Sequence, residues 1–298
     1  MKKLLFTGAS GFLGNNIRPI IDKSYDVQTI GLTDTDDIKV NLAERVPHIT
    51  EHYDVVLHAA GKAHTIPQTE AEKQVFYDVN NKGTVNLCKA LEQVGVPQAL
   101  VFISTVAVYG LEYGENITEE HPLEGTTPYA DSKIMAERYL TDWCTKNGVI
   151  LGILRPSLLA GKNPPGNLGA MLYYLKHRLY FNVAGGKVKK SVLMAEDIAR
   201  LLPKVIVKGG VYNVCDTYQP SFGELSASVA KQVGVRKPVS IPYWMAWCMA
   251  KVGDLIGPKA PFNSYKLVKM TKSLTFSNEK ARRDLDWEPL DVLSNYKV

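Results

Sequence analysis

The sequence predicts an α/β fold: a doubly wound parallel sheet over residues 1–158 and 188–217, with a smaller α/β substrate-binding domain built from 159–187 and 218–298. Three observations predict it. Apolar strand runs alternate with helically spaced apolar positions as far as Arg155, the order that a parallel sheet with crossover helices requires. The glycine-rich turn Thr7-Gly8-Ala9-Ser10-Gly11-Phe12-Leu13-Gly14 falls between the first such strand and the first helical pattern. The chain has 298 residues and is 45% hydrophobic, enough for a large core and a second, smaller one.

The first strand is read at Lys3 to Phe6, and the helix after it from the apolar positions Phe12, Leu13, Ile17, Ile20 and Ile21. Glycine suits each of three needs at this turn: a tight bend at Gly8, close backbone approach to a pyrophosphate at Gly11, and close helix–sheet packing at Gly14. Free N–H groups at the helix start attract the anion. The stretch Gly8, Ser10, Gly11, Phe12, Leu13 and Gly14 is therefore expected to bind a dinucleotide on a Rossmann-type sheet. The second strand, Val27 to Ile30, ends at Gly31 with Leu32 and Thr33 following, and Asp34 and Asp36 come slightly late. A carboxylate at that strand end usually meets the ribose 2′-OH of NAD, so its loss makes the 2′-phosphate of NADP(H) tolerable. The expected cofactor is NAD(P), leaning to NADP(H).

Further strands are read at Val55 to Leu57 and Ala99 to Ser104, the second preceded by a helix that Gly95-Val96-Pro97 stops. A helix is expected from Tyr129 to Lys146, then a strand carrying Ile153-Leu154-Arg155-Pro156-Ser157-Leu158. Gly161 to Gly169, rich in Gly, Pro and Asn, marks the crossing to the second domain, and Val211 to Val214 reads as a strand returning to the first. Ile241 to Ile256, with Trp244, Trp247 and Met249, is too short to span a membrane and reads as a helix packed in the second domain or at a contact, with an interfacial membrane helix as the alternative. Lys266, Lys269 and Lys272 recur three apart, as on a solvated helix face, and Asn278 to Pro289 contains a closing helix and Trp287.

The candidate chemistry lies at Tyr129-Ala130-Asp131-Ser132-Lys133. A tyrosine and a lysine four apart on a helix share one face. A phenol with a reference pKa of about 10 is a poor acid–base at neutral pH, and a neighbouring ammonium favours its phenolate. In Phe102 to Gly110 a buried strand ends at the hydroxyl pair Ser104-Thr105, and in doubly wound sheets ligands bind at the carboxyl ends of strands. Thr105 is thus placed to bond the oxygen that Tyr129 protonates or deprotonates.

Other classes are disfavoured. The net charge of +5 is mild, and no segment interleaves many basic residues with aromatics, which argues against nucleic acid. Cys88, Cys144, Cys215 and Cys248 show no Cys-x-x-Cys spacing and read as reduced thiols of a cytoplasmic protein. The apolar run Leu4 to Phe6 is too short for a signal-peptide core. No histidine has metal-ligand spacing, so no metal is expected.

The chain resembles the extended short-chain dehydrogenase/reductase family, the NAD-dependent epimerase/dehydratase group, over nearly its whole length. The matches come in order: the glycine motif, His58-Ala59-Ala60-Gly61, Val79-Asn80-Asn81-Lys82-Gly83-Thr84, the strand ending at Thr105, Tyr129 with Lys133, and Leu154-Arg155-Pro156. The resemblance implies Thr105, Tyr129 and Lys133 as catalytic. It implies cofactor contacts at Gly31, Asn41, Leu42, Ala59, Ala60, Gly61, Asn80, Ser104 and Pro156, Asn41 standing where an aspartate often meets the adenine. For a nucleotide-diphosphate sugar it implies Lys62, His64, Thr105, Ser157 and Lys190, the last being the favoured diphosphate cation of Lys187, Lys189 and Lys190. A homodimer is a further expectation.

Departures from the family pattern narrow the reaction. The dehydratase branch has an Asp-Glu pair after the catalytic threonine, and here Val106 and Ala107 stand there. That leaves 4-keto reduction or 4-epimerisation of the sugar. Leu158 replaces the asparagine with which many epimerases touch the diphosphate, so a 4-keto reductase is the leading expectation and a 4-epimerase the alternative. A non-catalytic NAD(P)-binding regulator is the reading from another class, but such proteins typically lose the tyrosine or the lysine, and both are present.

Overall fold

The computed structural model describes residues 1–63, 65–257, 260 and 262–298. Among these, seven parallel strands form the central sheet: β1 (Lys2–Thr7), β2 (Tyr25–Gly31), β3 (Ile38–Lys39), β4 (Val55–His58), β5 (Ala99–Ile103), β6 (Ile150–Pro156) and β7 (Gly210–Val214). Their order is β7-β6-β5-β4-β1-β2-β3, every pairing parallel. The chain starts at β1, moves to one edge, and returns past β1 to build toward the other. The strand order therefore reverses between β1 and β4, and in doubly wound sheets ligands bind beyond the carboxyl ends of the strands at such a reversal.

The inner strands are apolar on both faces because helices cover both. All five residues of β5 and all four of β4 are buried. One layer packs Ile17, Ile21, Ile198, Leu202 and Val205 against the sheet. The other packs Leu87, Leu91, Ala136, Leu140 and Trp143. Helix boundaries follow local chemistry. The helix Pro128–Asn147 starts at the Thr127 hydroxyl, which accepts from Ala130 N–H at 3.2 Å, and stops at Gly148, whose φ is 67°. The helix Gly83–Val94 ends at Gly95, as its sequence indicates, with φ at 99°.

Smaller pairings carry the remaining segments. Leu158–Ala160 pairs with Val192–Met194, and Gly114–Ile117 with Leu274–Phe276. Asn182–Val183 pairs with Ser240–Ile241. A separate apolar cluster joins Leu168, Met171, Leu175, Leu225, Val229 and Val292. The closing helix is Glu279–Leu285, with Trp287 buried after it. The helix expected at 241–256 is Tyr243–Ile256, packed through Ala246 and Ala250 in a cluster with Val183 and Leu267. Only Ala246, Ala250 and Gly253 of it are buried, and its large apolar side chains face outward. All four cysteines are free thiols, and no described helix is long and apolar enough to cross a membrane.

Candidate active site

The candidate site begins at the glycine turn. Gly8 has φ +79°, and a Cβ there would lie 2.6 Å from Ala60 N and 2.8 Å from the Ala59 carbonyl carbon, so both conformation and the approach of the β4 loop demand glycine. At Gly14 a Cβ would lie 2.1 Å from Ala9 O. Gly11 differs. Its backbone is extended, and an added Cβ would meet only Gly8 O at 3.3 Å, so that flank of the turn is open. Ser10 and Gly11 are exposed, Phe12 and Leu13 half-buried, and no side chain caps the helix Phe12–Ile21. Uncapped N–H groups above an open glycine fit an anionic pyrophosphate.

Next to this turn lies the end of β2, since Thr7 pairs with Ile30 and Gly8 N–H donates to Ile30 O at 3.3 Å. The expectation there was a strand end without a carboxylate. Gly31 itself is uncharged, but a Cβ on it would lie 2.3 Å from Asp36 Oδ2. Asp36 is 8% exposed and accepts from Thr33 N–H at 3.0 Å and Thr33 Oγ1–H at 2.7 Å. The missing side chain makes room for a carboxylate folded back from five residues on. Asn41 turns to its own loop, accepting from Ala43 N–H at 3.1 Å and donating to Glu44 at 2.7 Å, and Leu42 is buried beneath Gly83.

At the end of β4 a buried network sets the loop that follows. Thr84 Oγ1–H donates to Asn80 O at 2.6 Å, so it must accept from His58 Nε2–H at 2.8 Å. His58 Nδ1 is then an acceptor and takes the Thr7 hydroxyl proton at 2.6 Å, while Thr7 Oγ1 accepts from Ala60 N–H at 3.1 Å. Burial, and secondarily the Lys133 charge, push the His58 pKa down to about 3, which fixes this neutral tautomer. Asn80 sits in a π-helical turn, Asp78–Lys82. Its side chain accepts from Lys62 N–H at 2.7 Å and donates to Ser132 Oγ at 2.9 Å, tying the Ala59–Lys62 loop to the helix Pro128–Asn147. A Cβ on Gly61 would stand 3.1 Å from Lys133 Nζ, so glycine lets the lysine reach the loop. His64 lies outside the described residues.

The three chemical side chains converge over the end of β5. Thr105 caps the 3₁₀ turn Val106–Tyr109 by accepting from Ala107 N–H at 3.1 Å, and its hydroxyl faces Tyr129 closely enough to lower that phenol's pKa. Lys133 is 3% exposed, donates to Ile103 O at 2.9 Å, and stands 4.5 Å from the Phe102 ring centroid. Burial lowers its pKa to about 8, with Glu137 opposing. Tyr129 departs from expectation. Burial raises its pKa, and the contact that lowers it is Thr105 rather than Lys133. With the ammonium held on a backbone carbonyl and itself desolvated, it does not drive the phenol toward phenolate in the chain alone.

Sequence reasoning missed what holds this group in place. Arg155 on β6 donates to Glu137 through Nε at 3.1 Å and Nη2 at 2.6 Å, and to the Tyr109 hydroxyl through Nη1 at 3.0 Å. Tyr109 in turn donates to Asn213 Oδ1 at 2.7 Å. Ser104 donates to the same Glu137 carboxylate, so it serves this buried network. The available signal was spacing: Tyr129, Lys133 and Glu137 repeat every four residues along one helix face.

On the substrate side, Pro156 is buried at the end of β6, and Ser157 Oγ is buried with no partner among the described residues. Leu158 N–H donates to Ser191 O at 3.3 Å, which brings Ser157 beside Lys190 and Ser191. Lys187 and Lys189 are exposed, whereas Lys190 is half-buried. Burial, and then the Lys269 charge, lower the Lys190 pKa to about 8.

The sequence model of the NAD dependent epimerase/dehydratase family matches residues 4–215. The chain is 27% identical to N-acetyl-α-D-glucosaminyl-diphospho-ditrans,octacis-undecaprenol 4-epimerase of Escherichia coli O157:H7, over 93% of this chain and 88% of the relative. RMD from Pseudomonas aeruginosa, complexed with NADPH, superposes with a TM-score of 0.74 at 21% identity, covering 99% of this chain and 96% of that one. UDP-glucose 4-epimerase from Thermotoga maritima, with UDP-glucose, gives 0.73 at 18% identity, with the same coverages of 99% and 96%. WbmG of Bordetella bronchiseptica, in complex with NAD, gives 0.71 at 19%, covering 99% and 93%. At such identities the structural likeness is one of fold.

Proposed function

From its place in the NAD dependent epimerase/dehydratase family, to which the chain belongs, we propose that it moves a hydride at C4 of a diphosphate-linked sugar, as a 4-epimerase working with NAD. The observation that carries the proposal is the hydroxyl pair Thr105–Tyr129 above the end of β5, with Lys133 one helical turn away. The turn Gly8–Gly14 fits the pyrophosphate of NAD(P), which when bound would supply the hydride acceptor. Thr105 and Tyr129 would grip the C4 oxygen, and Tyr129, as the phenolate that Lys133 and the charge of a bound nicotinamide would together favour, would take the C4 hydroxyl proton as the C4–H bond breaks. Tyr129 returns that proton when hydride comes back to the opposite face of the keto sugar. Lys133 holds the nicotinamide ribose. The orphan hydroxyl of Ser157 and the cation of Lys190 meet the sugar diphosphate.

NAD is supported by Asp36, whose carboxylate beside Gly31 suits a ribose 2′-OH and repels a 2′-phosphate. Epimerisation is supported by the relative from E. coli, which matches along nearly the whole chain. A 4-keto reductase using NADPH is the second reading, favoured by Leu158, a half-buried apolar residue where many epimerases carry asparagine. Purified protein incubated with sugar diphosphates and their 4-keto forms separates the two. An epimerase retains NAD⁺ through gel filtration and interconverts the sugars without net cofactor loss. Stoichiometric NADPH consumption with a 4-keto sugar establishes the reductase instead.

A further inference from the structure

The helix Tyr243–Ile256 is built inside out. Its buried stripe is Ala246, Ala250 and Gly253, and a Cβ on Gly253 would lie 1.8 Å from Phe262 O, so small residues let the chain lie tightly along that side. The bulk points the other way: Trp244, Met245, Trp247, Val252, Leu255 and Ile256 are exposed, Leu255 at 89% and Trp244 and Ile256 at 66% each. Leu255 and Trp244 lie nearly opposite the buried stripe on the helical wheel. An ordinary surface helix has its apolar stripe inward.

Charge gathers in the same stretch of sequence. Residues 236–272 contain seven basic side chains and one acidic one, a net of +6 in a chain whose total is +5. The whole positive excess of the protein is therefore in this segment. Lys251 stands 5.8 Å over the Trp247 ring, and Lys269 and Lys272 stand over Tyr265 and Tyr113 at 4.3 and 4.4 Å. The lysines thus rim aromatic and aliphatic surface. A second copy of this chain is a poor occupant, because a two-fold interface sets each patch against its own like charge. An anionic bilayer offers both complements, since tryptophan favours the membrane–water interface and lysine the lipid headgroups.

The patch also adjoins the candidate site. Just after the helix Ser264–Thr271 that carries Lys269, Leu274 N–H donates to Lys189 O at 3.1 Å and Leu274 O accepts from Ser191 N–H at 3.3 Å, which flanks Lys190. Tyr113, under Lys272, precedes the strand Gly114–Ile117 in the segment that continues from the Thr105–Tyr109 turn. We propose that the helix Tyr243–Ile256 with Lys251, Lys266, Lys269 and Lys272 docks on an anionic membrane surface, and that the sugar diphosphate reaching Lys190 is carried on a membrane lipid. The second half of the proposal rests on the functional reading above and narrows its substrate class.

Flotation of the full chain with vesicles tests the docking without any turnover. The chain rises with phosphatidylglycerol–phosphatidylcholine vesicles at low salt, not with phosphatidylcholine alone, and is released by high salt. Fluorescence of Trp244 and Trp247 shifts to the blue on binding, since Trp143 and Trp287 are already buried. Trp244→Ser with Leu255→Ser lowers partitioning by about tenfold or more. Lys251→Glu with Lys266→Glu, which leaves the apolar face intact, lowers it by roughly fivefold per lysine. No flotation at low salt overturns the proposal, and so does flotation unchanged in both folded variants, or a concentration-dependent dimer that the first variant abolishes without any vesicle binding. The substrate arm compares a polyprenol-diphosphate sugar in those vesicles with its nucleotide-linked counterpart. The serine variant loses rate on the lipid-linked sugar alone, and equal rates of wild type and variant on it refute the lipid carrier. If neither sugar reacts, the C4 chemistry fails while flotation still decides the docking.

Discussion

Replacing Glu137 by glutamine tests how the reactive helix is held. Glutamine keeps the volume but removes the charge facing Arg155, and both residues are buried, at 3% and 5% exposure. The carboxylate takes two guanidinium bonds, at 3.1 and 2.6 Å, and the Ser104 hydroxyl. Removing one partner of a buried ion pair costs about 3–5 kcal/mol, because the other charge stays desolvated. At about 2–4 °C per kcal/mol for large chains, the melting midpoint falls by about 6–20 °C. A second readout separates positioning from bulk stability. Burial lowers the Lys133 pKa and Glu137 raises it, with a net value of about 8. Without that carboxylate Lys133 loses its proton at lower pH, so the alkaline limb of the rate profile moves toward neutrality. Glu137→Leu with Arg155→Met removes the pair together and recovers much of the stability, since well-packed apolar replacements are often neutral, but it leaves the alkaline limb displaced. Thermal melts and pH–rate profiles of the three proteins decide it. A Glu137→Gln melt unchanged within a degree or so, or an unmoved alkaline limb, refutes the assignment.

Tyr129→Phe should lower turnover by about a hundredfold or more with cofactor binding retained, measured by initial rates and dinucleotide titration; near-normal turnover removes Tyr129 from the chemistry. Asp36→Ala should shift the ratio of NADP⁺ to NAD⁺ affinity by about tenfold toward NADP⁺, since it withdraws a carboxylate from the place of the 2′-phosphate; an unchanged ratio in calorimetric titration discards that reading. His58 has its folded pKa lowered from 6.5 to about 3, so over that window the unfolded chain binds a proton that the folded one excludes. Its contribution is present above the unfolded value and lost as pH falls, at up to about 1.4 kcal/mol per unit. Urea midpoints should show His58→Gln losing about one proton's worth of that acid slope, and identical slopes would contradict it.

The residues legible in the sequence are those whose chemistry allows no substitute. A tight turn with φ +79° pressed against Ala60 needs glycine, so Gly8 announces itself, as does a tyrosine one turn before a lysine at the end of a buried strand. Asp36 was not legible, because its place beside Gly31 depends on how a five-residue loop folds back, and no spacing rule encodes that. The Glu137–Arg155 pair joins a helix to a strand, and only the packing of one on the other shows that they meet. The helix Tyr243–Ile256 is a third kind of case. Its apolar composition is visible, but apolar residues on nearly every side leave periodicity without a buried face to report. The informative residues were the small ones, Ala246, Ala250 and Gly253, since close packing selects for what is missing from a side chain.

One face of the helix Pro128–Asn147 therefore carries three separable tasks at four-residue intervals. Tyr129 faces Thr105, Lys133 bonds the backbone of Ile103, and Glu137 locks Ser104 and Arg155. All three reach the end of β5 or the strand beside it, so a shift of this helix along its axis would break all three contacts together. The ion pair nearest the buried core thus sets the register of Tyr129 against Thr105. In that geometry a loss of Glu137 must show in the titration of Lys133 as well as in the melt, which is why the two readouts together distinguish a positioning residue from a merely stabilising one.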